Sequence, residues 1–175
     1  MEIAVAVVTS LDNRMTHGNQ DDIHTWVSHE DQVRFKALRQ AHDTLIMGST
    51  VYELMREAMA HTSERLRIVL TSRPGDYAAE GVPGQLEFHD KTVSEIASYL
   101  EAQGRQKVLI VGGGRMITDF LSHGLVDKLY LTLEPRLFGE GVQMVTQPVD
   151  CKLRLESCEQ ANEAGTLLLT YAVER

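Results

Sequence analysis

Two segments of this chain carry residue types that can do chemistry. The first is Val108-Leu109-Ile110-Val111-Gly112-Gly113-Gly114-Arg115-Met116. Four apolar residues read as a buried strand, three glycines follow, and a helical pattern then places Met116, Ile117, Phe120 and Leu121 on one face. A strand passing through glycines into a helix start can hold a phosphate. Glycine lets the backbone approach closely, and the unpaired N–H groups of the helix start point at the anion. Tight strand-to-helix packing would demand the same glycines. The segment is not the dinucleotide fingerprint G-x-G-x-x-G, because Ile117 stands where the third glycine would be. No G-x-x-x-x-G-K-[ST] loop occurs either. The second segment is Trp26-Val27-Ser28-His29-Glu30-Asp31-Gln32-Val33-Arg34-Phe35-Lys36. Asp31, Phe35 and Leu38 stand at i, i+4 and i+7, one face of a helix. A carboxylate on an aromatic and aliphatic face is partly desolvated, which raises its pKa. Such a group suits proton donation or recognition of an amidine-like ring edge. Asp31 also stands three residues after Ser28, the spacing of a capping box, and a cap explains it without catalysis. Trp26, the only tryptophan, reads either as the closure of a ligand site or as a core residue beside the helix start.

The elements that must position these groups are legible in the periodicity. Strand-like runs fall at 3–9, 44–47, 66–71, 85–88, 107–111, 126–134, 152–158 and 166–173. Ser28 caps a helix from His29 to about Ala41, with Val33, Ala37, Leu38 and Ala41 expected to face a core. A short helix follows Thr50. Thr92-Val93-Ser94-Glu95 is a capping box, followed by Ile96, Ala97 and Leu100, with Gly104 as the stop. A last helix runs from about Gly114 to Ser122. Strands alternating with helices predict an α/β fold, a mostly parallel sheet covered on both faces. The last two runs are joined at Asn162-Glu163-Ala164-Gly165, a hairpin turn, so the sheet ends in an antiparallel pair.

In such sheets ligands bind at the carboxyl ends of the strands. Three candidate phosphate loops, Met47-Gly48-Ser49-Thr50, Leu70-Thr71-Ser72-Arg73 and Val111 to Arg115, all follow strands. Among the basic residues, Arg65, Arg67, Arg73 and Arg115 are best placed for anions, although each also reads as a solvated charge. Arg73, just past a strand, is the best candidate for a terminal phosphate, because a guanidinium fork matches phosphate geometry. Alternation in 126–134 puts Leu129, Leu131 and Leu133 on one face and Tyr130, Thr132 and Glu134 on the other. The polar stretch from Thr16 to Thr25 predicts a long loop after the first strand, a lid or binding loop.

Bulk properties narrow the function classes. The 175 residues suit one domain, 1–175. A net charge of −8 argues against a nucleic-acid or anionic-membrane surface. No run of about 18 apolar residues predicts a membrane span. The N-terminus lacks the basic start and cleavage site of a signal peptide. Two cysteines make no disulfide framework, which fits a cytoplasmic setting. Seven histidines show no metal-ligand spacing, and no metal site is expected.

Taken in order, these segments resemble the dihydrofolate reductase superfamily, whose other major branch is the reductase domain of the riboflavin-pathway deaminase-reductases. The resemblance covers nearly the whole chain. It rests on Trp26…Asp31…Phe35-Lys36, Ile46-Met47-Gly48-Ser49-Thr50-Val51-Tyr52-Glu53, Ile68-Val69-Leu70-Thr71-Ser72-Arg73-Pro74, Ile110-Val111-Gly112-Gly113-Gly114-Arg115 and Asp127-Lys128-Leu129-Tyr130-Leu131-Thr132. It implies a three-layer fold of about eight strands and an NADPH-dependent reductase of a pterin- or pyrimidine-type substrate. Gly48, Ser49, Thr50, Thr71, Ser72, Arg73, Gly112, Gly113, Gly114, Arg115 and Met116 would hold NADPH, with Arg73 near its 2′-phosphate. Asp31 falls where the folate branch has its substrate acid, Thr132 where a threonine supports that acid, and Phe35 at a pterin contact. Arg65 falls where an arginine takes the folate carboxylate, and Trp26 beside the substrate. Ser10-Leu11-Asp12-Asn13-Arg14-Met15 and Glu134-Pro135-Arg136-Leu137-Phe138-Gly139 resemble loops of the riboflavin branch. That branch's D-x-P-x-L-x-x-R segment, which serves the ribosyl phosphate, is replaced here by Val51-Tyr52-Glu53-Leu54-Met55. The reading is a member between the branches with a tilt to folate-type chemistry, and a homodimer is implied by analogy with the riboflavin branch.

Overall fold

The computed structural model describes residues 1–19, 23–59 and 63–174. The middle of the expected loop between Thr16 and Thr25, residues 20–22, lies outside that description. Eight strands form one sheet: β1 (Glu2–Ser10), β2 (Thr44–Gly48), β3 (Leu66–Leu70), β4 (Leu86–His89), β5 (Lys107–Ile110), β6 (Lys128–Glu134), β7 (Lys152–Gln160) and β8 (Leu167–Glu174). Their order is β4-β3-β2-β5-β1-β6-β8-β7. The first six pair in parallel, and β8 pairs antiparallel with both β6 and β7.

Period-2 alternation explains why helices must cover both faces. Ile3, Val5, Ile46, Ile68, Val108 and Ile110 point to one side, where α3 (Val93–Ala102) and α4 (Gly114–Ser122) supply Ile96, Leu100, Ile117 and Phe120. Ala4, Ala6, Leu45, Met47, Val69 and Leu109 point to the other, under α1 (His29–Ala41) and α2 (Ser49–Met55). The expected elements are therefore present, with strand ends shifted by at most two residues. The capping box at Thr92 forms: its side chain accepts from the Glu95 N–H, and the Glu95 carboxylate accepts from the Thr92 N–H at 2.9 Å.

One expectation fails. Val33, Ala37 and Ala41 do not face a core; Val33 is 54% exposed and both alanines are exposed. The sheet-facing stripe of α1 is instead Asp31, Phe35 and Leu38. Two alanines bury little area, so they do not decide which face packs. Phe35 and Leu38 pack against the sheet cluster that includes Ala4, Ala6 and Leu45, and Arg34 staples the helix to the sheet. Its guanidinium donates to the Leu131 carbonyl (3.0 Å), the Leu169 carbonyl (2.7 Å) and the Thr170 hydroxyl (3.1 Å).

Candidate active site

The rotation of α1 turns Asp31 toward the sheet. It is the only buried residue of that helix, 8% exposed. Ser28 caps the helix, its side chain accepting from the Asp31 N–H at 3.2 Å. The reciprocal half of a capping box is absent. The Ser28 N–H is instead taken by Glu134 Oε1 at 2.8 Å. The Asp31 carboxylate is thus free of capping work and is hydrogen-bonded by Thr132 of β6. Burial pushes its pKa above the ordinary carboxylate value. The Thr132 hydroxyl opposes that, the Glu134 charge adds to it, and Arg34 and His24 oppose it more weakly. A carboxyl whose pKa is raised can donate its proton, or bind an amidine-like edge when ionised.

Glu134 is the residue that spacing alone did not single out as a partner. It is 3% exposed, and its second oxygen accepts from the Thr166 hydroxyl at 2.7 Å. It therefore fixes the start of α1 from the end of β6. The alternation that groups Glu134 with Tyr130 and Thr132 was the available signal. Only the fold shows that Ser28 lies beside it.

Two loops meet at Trp26, five residues before Asp31 in the chain. Trp26 is buried, and its ring meets Phe138 edge-on at 5.0 Å; His17 stacks on Phe138 at 4.6 Å. The Asp12 carboxylate ties the loops together, accepting from the N–H groups of Phe138 (3.1 Å) and Gly139 (2.7 Å) and from the Ser10 hydroxyl (2.7 Å). These bonds hold its pKa down at about 2, with the Ser10 bond the largest cause. The indole N–H of Trp26 is shielded and has no hydrogen-bond partner among the described residues.

The candidate phosphate loops lie side by side, because β3, β2 and β5 are neighbours. The Gly48 N–H meets the Gly112 carbonyl at 3.4 Å. Gly112 needs its φ of +129°, a conformation that disfavours any side chain. A Cβ at Gly48 or Gly113 would meet nothing within 4 Å, so backbone there borders open space. Gly113 is the N-cap of α4 and supplies no side-chain bond to the first amides of the helix. This open, donor-rich backbone fits a nucleotide phosphate. Gly114 differs: a Cβ there would stand 2.1 Å from the Gln143 carbonyl oxygen, so packing explains it. Met116 is buried in the core and offers only its amide. Ser49 and Thr71 are half-buried, and Thr50, Ser72, Arg73 and Arg115 are exposed. Arg73 pairs with Asp76 at 3.4 Å.

Arg65 is not beside Asp31. It stands at the head of β3, and its Nε donates to the His42 carbonyl at 3.1 Å. Among the described residues, no group of three or more metal-capable side chains gathers, and no helix is long and apolar enough to cross a membrane.

Comparison with known proteins bears on this site. Residues 2–167 match the model of the RibD C-terminal domain. The chain belongs to the RibD C-terminal domain family. A riboflavin biosynthesis protein RibD of Corynebacterium ammoniagenes is 35% identical over 63 residues, 36% of this chain and 19% of that protein. The matched stretch is thus about a fifth of that relative's length. A crystal structure from Shewanella sp. PV-4, of a protein named for riboflavin biosynthesis, superposes with a TM-score of 0.79 at 23% identity, covering 100% of both chains. Dihydrofolate reductase of Enterococcus faecalis, solved with NADP(H), superposes with a TM-score of 0.69 at 22% identity, covering 99% of this chain and 97% of that one. The fold is the one seen in that dihydrofolate reductase, and the RibD C-terminal domain family points to a reductase.

Proposed function

We propose that this protein is an NADPH-dependent reductase that delivers hydride to a C=N bond of a pterin- or pyrimidine-type substrate, with Asp31 as the substrate acid. The observation that carries the reading is Asp31 itself, buried, released from capping by Glu134, and hydrogen-bonded by Thr132. NADPH, when bound, supplies the hydride and leaves as NADP⁺. Gly48 to Thr50, Thr71 to Arg73 and Gly112 to Met116 would hold it on the β3-β2-β5 side, with Arg73 turning from Asp76 to its 2′-phosphate. Asp31 sits on the other side, above β1 and β6. The sheet then presents the two ligands edge to edge, which supplies proximity. As the carbon of the C=N bond receives hydride, its nitrogen takes a proton that Asp31 delivers or relays. The raised pKa favours the proton-bearing form of that group. Phe35 and Trp26 would form the pocket for the ring.

Two substrates suit this chemistry. Dihydrofolate is supported by the Asp31–Thr132 pairing. 5-Amino-6-(5-phosphoribosylamino)uracil, the substrate of the riboflavin-branch reductases, is supported by the family match and by the two loops joined at Asp12. NADPH oxidation with each offered separately tests the proposal. Turnover of one, lost in Asp31→Asn, is expected. NADPH binding without turnover of either would leave a nucleotide-binding module and end the enzyme reading.

A further inference from the structure

The start of α1 is tied to the antiparallel end of the sheet by hydrogen bonds that an N-cap does not require. The Ser28 N–H donates to Glu134 Oε1 at 2.8 Å. Glu134 Oε2 accepts from the Thr166 hydroxyl at 2.7 Å. That hydroxyl oxygen in turn accepts from the Asn162 amide at 3.0 Å, and the same amide nitrogen donates to Glu30 Oε2 at 2.9 Å. The bonds thus leave α1 at Ser28 and return to it at Glu30, next to Asp31. Their direction is fixed, because Thr166 has one hydroxyl proton and it goes to Glu134. Asn162 uses its other end as well. Its carbonyl oxygen accepts from the Gly165 and Thr166 N–H groups, both at 3.1 Å, and closes the turn between β7 and β8. Thr166 and Glu134 are buried.

No ion pair among the described residues includes Glu134. A buried carboxylate without a cation is costly, and a neutral glutamine could accept from Ser28 as well. What the acid adds is a fixed negative charge beneath the first turn of α1, where the helix dipole favours it. Glu134 and Thr132 share one face of β6, about 7 Å apart along the strand, and Thr132 bonds the Asp31 carboxyl. We propose that Glu134, Thr166 and Asn162 are positioning residues, a clamp that holds Asp31 for proton transfer from an anchor in the β7–β8 turn. None of the three needs to touch the substrate. They act through Ser28, through Glu30 and through the field of Glu134. The charged groups acting on Asp31 are Glu134 from β6, Arg34 from its own helix and His24 from the segment before it, and Glu134 outweighs the other two. The inference rests on the reading of Asp31 as the substrate acid. It gives the turn at 162–165 a role beyond reversing the chain.

The test joins steady-state kinetics of the intact protein with two measurements made without substrate: amide hydrogen exchange at Ser28 and a carboxyl ¹³C NMR titration of Asp31. The Asp31 signal is identified by its loss in Asp31→Asn. Thr166→Val keeps the side-chain shape and removes the hydroxyl, whereas Thr166→Ser retains it. Thr166→Val should lower kcat about tenfold or more with the KM for NADPH unchanged, and should speed exchange at Ser28. It should also move the Asp31 titration to lower pH. Glu134 deprived of a donor holds its charge less readily, and a weaker neighbouring charge lets Asp31 ionise sooner. Thr166→Ser should restore all three. Asn162→Asp keeps the oxygen that closes the turn and loses the donor to Glu30 and Thr166, so kcat should fall about threefold or more. A hairpin that only supports the fold would lower the melting temperature of Thr166→Val and leave kcat, Ser28 exchange and the Asp31 titration in place, and that result overturns the clamp. So does a Thr166→Ser protein as impaired as Thr166→Val. The two readings fail separately. Faster Ser28 exchange and a moved Asp31 titration in Thr166→Val, in a protein that turns over neither substrate, keep the clamp and remove the reductase. An active Thr166→Val with both measurements unmoved removes the clamp alone.

Discussion

Replacing Asp31 with asparagine separates its chemistry from its place in the helix. The cap of α1 uses the Asp31 backbone N–H, donated to Ser28, and the Ser28 N–H goes to Glu134. The side-chain change therefore leaves the cap intact. Asparagine keeps the shape and can still bond the Thr132 hydroxyl, but it neither carries nor releases the proton. Loss of a positioned general acid costs roughly 10²–10⁴ in rate, or about 3–5 kcal/mol of transition-state stabilisation. Stability should move the other way. The folded pKa of Asp31 is raised, chiefly by burial. Between the ordinary carboxylate pKa and that raised value the folded state holds the extra proton, so stability falls as pH rises through the window. Asp31→Asn removes this penalty, and the variant should melt no lower than the wild type at neutral pH. NADPH oxidation across the pH range, with thermal melts beside it, reads both. The wild-type rate should fall as pH rises through the Asp31 pKa, and the variant should lack that limb. A variant with wild-type turnover, or one that is inactive only because it melts early, would refute the argument and return Asp31 to a structural role.

Other outcomes follow from the same geometry. Glu134→Gln removes the charge that raises the Asp31 pKa, so the pH limb should move to lower pH, while the disturbed bond to Thr166 costs about 0.5–1.5 kcal/mol in denaturant melts. Thr132→Val removes a hydroxyl that favours the ionised carboxylate, so the limb should move the opposite way. Gly114→Ala sets a methyl against the Gln143 carbonyl and should destabilise by about 1–3 kcal/mol. Gly113→Ala faces open space and should melt like the wild type but bind NADPH more weakly. The Asp12 carboxylate, held at about 2, supports the loop junction above the ordinary carboxylate pKa. That support should be lost as pH falls from about 4 toward 2, seen as a change in the fluorescence of Trp26 beside Phe138. An unchanged emission in Asp12→Asn at neutral pH would remove that link.

The chain's own pattern determined most of the architecture. Alternating apolar runs separated by helical periods dictate a sheet covered on both faces, and Asn162 to Gly165 dictates the antiparallel end. These are local signals, set by period and turn chemistry. The glycines at 112 and 113 were legible as a candidate phosphate loop, but Gly114 could not be separated from them. Its need arises from Gln143, 29 positions away in the chain. The rotation of α1 was not legible either. Val33, Ala37 and Ala41 form an apolar stripe as regular as Asp31, Phe35 and Leu38, and local periodicity cannot rank two stripes. Tertiary packing chose the second, because Phe35 and Leu38 pack on the apolar cluster of the sheet while Arg34 is anchored on β6 and β8. Asp31 spacing fitted a cap as well as an acid until Glu134, from the end of β6, took the Ser28 N–H. The clamp joins a helix start to the turn of the last hairpin, and only the order of strands in the sheet brings those together. Residue types gave the chain its candidate groups; the long-range contacts of the sheet decided which of them share a site.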